Sequence, residues 1–170
     1  RVLFRSKDLT PVIWMGGQPF TLGVSSSLGV NTVKEFVELM RRNPGKYNIA
    51  GAGGQRMTME KFMLTFGVKM EGINFRSAGD ATTALMGGQV DMQLNNVSTL
   101  APAAKNGTVR ILAVAGSRRA AIAPKLPTVA EAGVKGYAVD AWFGVIAPTG
   151  VARDTLAKLN AQLAKLGGKG

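Results

Sequence analysis

Residues 126–160 read LPTVAEAGVKGYAVDAWFGVIAPTGVARDTLAKLN, and this stretch decides the fold class. Thr128 and Glu131 stand at capping-box spacing, so the hydroxyl and the carboxylate can serve reciprocal amides at a helix start. Gly133 supplies the left-handed residue that ends so short a helix. Residues 137–147 are mostly apolar and predict a strand, which Pro148 stops. A last helix then carries Leu156, Leu159 and Leu163 on one face. Short helix, long strand, proline turn and new helix is the order expected where a chain crosses from one lobe to another.

Working outward, residues 11–15 predict a strand that Gly16-Gly17-Gln18-Pro19 breaks and residues 20–24 resume. Thr32 and Glu35 form a second capping box, and Val33, Phe36, Val37 and Met40 follow at helical spacing. Residues 47–50 predict a strand, residues 56–66 a helix stopped by Gly67, and residues 73–75 another strand. Ala81, Ala84 and Leu85 line the next helix, closed by Gly87-Gly88. Val90, Met92 and Leu94 alternate with Gln89, Asp91, Gln93 and Asn95, which predicts a strand with one wet face. Residues 97–105 are helical in pattern, with Pro102 in a first turn if the helix starts late. Residues 109–115 are nearly all apolar, as in a strand covered on both faces. This alternation argues for a mostly parallel sheet covered by helices.

Composition narrows the function. Hydrophobic residues make up 46% and charged residues 18%, which suits a folded domain. The formal net charge of +11 is spread over scattered sites such as Arg41-Arg42, Arg118-Arg119, Lys158 and Lys165. No basic stripe with interleaved aromatics forms, so nucleic acid is disfavoured as a partner. The chain has no cysteine and no histidine, which removes thiol nucleophiles, His-based triads and Cys/His zinc sites. No acid/base carboxylate pair stands out, and the pattern implies no cofactor and no metal.

The passage 126–148, with Thr32–Glu35, Asn43-Pro44-Gly45 and Gly87-Gly88-Gln89-Val90-Asp91, resembles the periplasmic receptors of tripartite tricarboxylate transporters, the Bug-type solute receptors. The resemblance spans residues 7–162. It implies an α/β fold of the type II periplasmic-binding-protein kind, bilobed, with one complete lobe and only part of the other. Residues 7–24 would be crossover strands from a truncated first lobe, residues 25–136 the complete second lobe, and residues 137–170 the return strand and helix. Residues 1–6 match nothing in the family's pattern and are read as an artefactual extension. The resemblance further implies a non-catalytic, monomeric receptor in the periplasm, with a signal peptide upstream, that presents a small carboxylate to membrane permease subunits. Two other classes stay open at this point: a ligand-sensing domain of a transcription regulator, and an enzyme holding phosphate on a glycine loop.

The candidate ligand residues are Gln18, Gly51, Ala52, Gly53, Gly54, Gln55, Arg76, Ser77 and Asn95. Gly51 to Gln55 follow a strand and open a helix, where main-chain amides and the helix dipole favour an anion; a tight turn that merely needs glycine is the plainer reading. The family pattern there is Ala-Gly-x-Gly-Ser-x-x-His. Here Gly54 replaces the serine, and Met57 or Arg56 the histidine. Arg76-Ser77-Ala78-Gly79 stands where the family has Lys-Gly-x-Gly, and could equally be a surface turn. Asn95-Asn96 ends a strand on the edge where open α/β sheets present ligand groups. The family commonly has Asp-Asn, so Asn95 removes a negative charge and favours an acidic ligand; a plain turn is the rival. Gln18 sits in the crossover break. Trp142 and Phe143 are read as hinge packing rather than ligand stacking.

Overall fold

The computed structural model describes residues 6–52 and 55–166. It divides into two compact units, Pro19–Asp140 and a second made of the described residues up to Gln18 and from Ala141 onward. The first strand, β1 (Leu9–Ser25), belongs to both.

Within Pro19–Asp140 the chain builds a sheet with helices on both faces. α1 (Val33–Arg42) precedes β2 (Asn48–Ala52), α2 (Arg56–Phe66), β3 (Glu71–Phe75), α3 (Ala78–Met86), β4 (Met92–Asn96), α4 (Val97–Lys105) and β5 (Val109–Val114). The strand order is β3-β2-β4-β1-β5. β2 runs parallel to both β3 and β4, whereas β1 lies antiparallel between β4 and β5. The expected mostly parallel sheet is therefore mixed, because the long first strand enters through its middle.

β1 corrects a second expectation. Gly16 to Pro19 do not interrupt it. Gly16 takes φ +139°, a value open to glycine. The ladder to β4 begins at Phe20, so Pro19 owes that neighbour no N–H.

Side chains of alternate strand residues feed two cores. Leu22, Val24, Ile49, Met92 and Leu94 meet α1 and α2, around Phe36, Phe62, Phe66 and Tyr137. The ring centroids of Phe62 and Phe66 are 4.0 Å apart, and Tyr137 stands edge-on to Phe62 at 5.7 Å. Ala50 meets the small residues Ala81, Ala84 and Ala103 of α3 and α4 on the other face. Gln93 and Asn95, expected on a wet face, are 0% and 3% exposed. The two alanine-rich helices pack close enough to cover them. Pro102 also departs from expectation. α4 starts directly after β4, which places the proline in the helix interior.

The Thr128–Glu131 box closes, while the Thr32–Glu35 pair forms with its return bond one residue before the N-cap. Thr32 Oγ1 accepts from the Glu35 amide at 3.1 Å, and the Glu35 carboxylate accepts from the Asn31 amide at 2.7 Å. Thr128 Oγ1 accepts from the Glu131 amide at 3.1 Å, while Glu131 accepts from the Thr128 amide at 2.7 Å. The second box caps a turn, not the expected short helix, since Gly133 reverses the chain at φ +99°. Tyr137 precedes its strand, whose bounds are Asp140–Pro148 (β6).

In the smaller unit, β6 pairs with the first half of β1. Gly144 lies against the Ile13 carbonyl and Gly17 against that of Ala141. α5 (Arg153–Leu166) follows, tied by Asn160 Nδ2 to the Val12 carbonyl at 2.6 Å. Its leucine stripe is not buried among the described residues. Among the described residues, a two-stranded ribbon and a 3-10 turn at Ser6–Asp8 accompany this helix in its unit.

Two tests follow. A Cβ at Gly116 would stand 2.5 Å from Pro19 Cβ and 2.6 Å from an Asp140 carboxylate oxygen. The proline ring cannot yield, so Gly116→Ala should destabilise the protein by about 1–3 kcal/mol in urea denaturation. Separately, the Thr128 amide and then the Arg119 guanidinium hold the Glu131 carboxyl below its ordinary 4.5. A depressed folded-state value adds stability above the unfolded value and loses it as pH falls through the folded one. The melting-temperature gap between wild type and Glu131→Gln should therefore be present at neutral pH and close below the ordinary 4.5.

Candidate functional site: the carboxyl edge of the sheet

The register aligns the strand ends. Ala52 pairs with Phe75, and Thr21 pairs with both Asn95 and Val114. The Ala50–Gln93 pair then places Ala52 level with Asn95. Helices α2, α3 and α4 all begin just beyond this row, so three positive helix ends open on one edge.

The predicted residues occupy this edge unequally. Gly51 is a buried strand residue, and a Cβ there would lie 2.8 Å from the Met59 sulfur. Close helix packing accounts for that glycine. The Ala52 amide is not open, since it donates to Gln55 Oε1 at 2.9 Å. Gln55 stands at the N-cap of α2 with its side chain turned back to staple the loop. Gly53 and Gly54 lie outside the described residues. Arg76 is exposed beside Ser77, which caps α3 by accepting from the Asp80 amide at 3.1 Å. Gln18 is exposed and belongs to the other unit.

Asn95 is the most constrained member. Its carbonyl accepts from Thr21 Oγ1 at 2.8 Å, and its Oδ1 accepts from the Asn96 amide at 2.8 Å. Those bonds fix which way the carboxamide faces. Nδ2 is left buried, with no partner among the described residues. A buried donor without an acceptor is costly.

Sequence reasoning missed the polar clamp beneath this edge. Gln93 Nε2 donates to the Ala78 carbonyl at 3.2 Å, and the Thr82 hydroxyl lies 2.9 Å from both that carbonyl and Gln93 Oε1. The clamp ties the first turn of α3 to β4. Its signal was visible as the polar positions Gln93 and Asn95 alternating with Met92 and Leu94. Gln93→Leu should strand part of this network and cost about 1–3 kcal/mol in chemical denaturation.

A mixed sheet covered on both faces, with helix starts on one edge, defines an α/β lobe of the periplasmic-binding-protein kind. The profile of the tripartite tricarboxylate transporter family receptor matches residues 1–166, including the first six that the sequence reading set aside, and the chain belongs to that family. Members are substrate-binding receptors rather than enzymes. BugT of Bordetella pertussis is 28% identical over 91% of this chain and 48% of its own length. A Rhodopseudomonas palustris protein solved with adipate superposes with a TM-score of 0.86 at 30% identity, covering 92% of this chain and 54% of that one. MatC of the same organism, solved with bound malate, gives 0.85 at 30% identity, covering 92% and 54%. The chain thus spans about half the length of the relatives it matches.

Proposed function

We propose that this chain is the ligand-holding lobe, with part of its companion, of a periplasmic, monomeric receptor that captures a small carboxylate. The receptor hands that acid unchanged to the membrane permease of a tripartite transporter. The observation that carries this reading is the Asn95 Nδ2 donor, buried and unpaired on an edge where three helices begin. An acid oxygen satisfies such a donor, and the helix ends favour its charge. Arg76, Ser77, Gly51, Ala52 and Gln55 border the same edge. Gly53 and Gly54, outside the described residues, belong to the proposed ligand set on the family pattern alone. Two of the solved neighbours carry dicarboxylates, which supports the substrate class. The family match favours this receptor over a sensing domain of a transcription regulator.

The test is a thermal-shift panel of di- and tricarboxylates on the full-length receptor. At least one acid should stabilise it saturably, as a native-state ligand must. Asn95→Ala removes the Nδ2 donor and should weaken that binding by at least about tenfold, or 1.4 kcal/mol. This chain by itself should bind more weakly than the full-length receptor. A full-length receptor unmoved by every acid, or an Asn95→Ala variant with undiminished affinity, rejects the reading.

A further inference from the structure

Gln93 and Asn95 alternate on β4 and so point to one face of the sheet. Gln93 is fully buried, and a carboxamide that deep is costly unless its polar atoms are bonded. It finds its bonds on α3. Nε2 donates to the Ala78 carbonyl at 3.2 Å, and Oε1 accepts from the Thr82 hydroxyl at 2.9 Å. The carbonyl that Gln93 holds shares a peptide unit with the Gly79 amide. Such a unit is planar and trans, so its C=O and N–H point in opposite directions. Gripping the Ala78 carbonyl from β4 therefore sets the direction of the Gly79 N–H. That N–H stands in the opening turn of α3, where a helix offers it no acceptor of its own. Ser77 serves the two amides that follow, Asp80 through its Oγ at 3.1 Å and Ala81 through its carbonyl at 3.2 Å. Gly79 is exposed, and a Cβ there would meet only Ser77 Oγ, at 3.7 Å.

We propose, on the receptor reading above, that Gln93 is a positioning residue for the bound acid: it aims the Gly79 amide at the carboxylate without touching the ligand itself. α3 begins on the same edge as α2 and α4, so an amide of its opening turn lies on the acid's edge. The helix dipole attracts an anion but does not say where its oxygen rests. A hydrogen bond does, because it weakens steeply as its angle closes. Helix ends fray, and the grip from β4 holds this one to the sheet. The Asn48–Asp91 pair is the useful contrast. It exchanges bonds of 2.8 and 3.0 Å at the opposite end of β4, so it secures the strand without reaching the acid's edge.

The test is calorimetry on the full-length receptor with a panel of acids running from succinate to citrate, paired with amide NMR spectra. In wild type the Gly79 resonance should move as the acid saturates the site. Gln93→Met, close in length but without the carboxamide, should weaken acid binding about tenfold, the loss expected when one hydrogen bond to a charged group is misaimed. In that variant the Gly79 resonance should be displaced even before acid is added. Thr82→Val is milder, since it leaves Gln93 in place; it should weaken binding about threefold, and Thr82→Ser should restore it. Asn48→Ala loses stability at the far end of the strand and should bind as wild type, which separates positioning from folding. A wild type that binds no acid overturns the receptor reading and the role of Gln93 together. Where wild type binds, a Gln93→Met variant equally tight, a Gly79 resonance unmoved by the acid, or Asn48→Ala as weak as Gln93→Met overturns the positioning role alone.

Discussion

The buried half of β1 organises the larger unit. Five strands form its sheet, and β1 alone runs against its neighbours, held between β4 and β5. A strand inserted this way must enter at the carboxyl ends of those neighbours. The returning chain leaves at the same place. Phe20 donates to the Val139 carbonyl at 3.3 Å, Val139 to that of Ala115 at 2.7 Å, and Ala115 to that of Phe20 at 2.6 Å. These backbone bonds sew entry and exit together beside the starts of α2, α3 and α4. Lys61 adds a tie from α2, donating to the Ala138 carbonyl at 3.0 Å with its ammonium 5.9 Å from the Tyr137 ring centroid.

Buried polar groups then fix the register. A one-residue slip of β4 would exchange Met92 and Leu94 for Gln93 and Asn95 across the sheet. Gln93 finds its partners on α3, and Asp91 exchanges bonds with Asn48 at the start of β2 at 2.8 and 3.0 Å. The strand position and the placement of the α3 start are consequently one choice. Such fully bonded pairs specify an arrangement that apolar contacts would leave looser. Asn95 belongs to the same row, and its Nδ2, like the Tyr137 hydroxyl in the core, is buried with no partner among the described residues.

The smaller unit has a different character. Its ribbon and helix leave Trp14, Trp142 and Phe143 more than half exposed, at 69%, 70% and 53%. The expectation that Trp142 and Phe143 are packed is therefore not met among the described residues. Aromatic surface of this extent commonly marks a face that meets further protein.

The sequence alone determined what depends on residues a few positions apart. The Thr32–Glu35 and Thr128–Glu131 boxes, the stop at Gly67 and the alternation of strands with helices were legible because their hydrogen bonds close within a turn. The resemblance carried by residues 126–148 likewise identified the family. Tertiary structure decided whatever depends on a distant surface. Gln93 and Asn95 read as wet until α3 and α4 cover them, and Gly51 read as an anion cradle until Met59 is seen against it. The Ala52 amide read as free until Gln55 folds back, a contact whose spacing is local but whose geometry only the loop's path reveals. Parallel and antiparallel pairing leave the same alternation in a strand, so the direction of β1 could be known only from its partners.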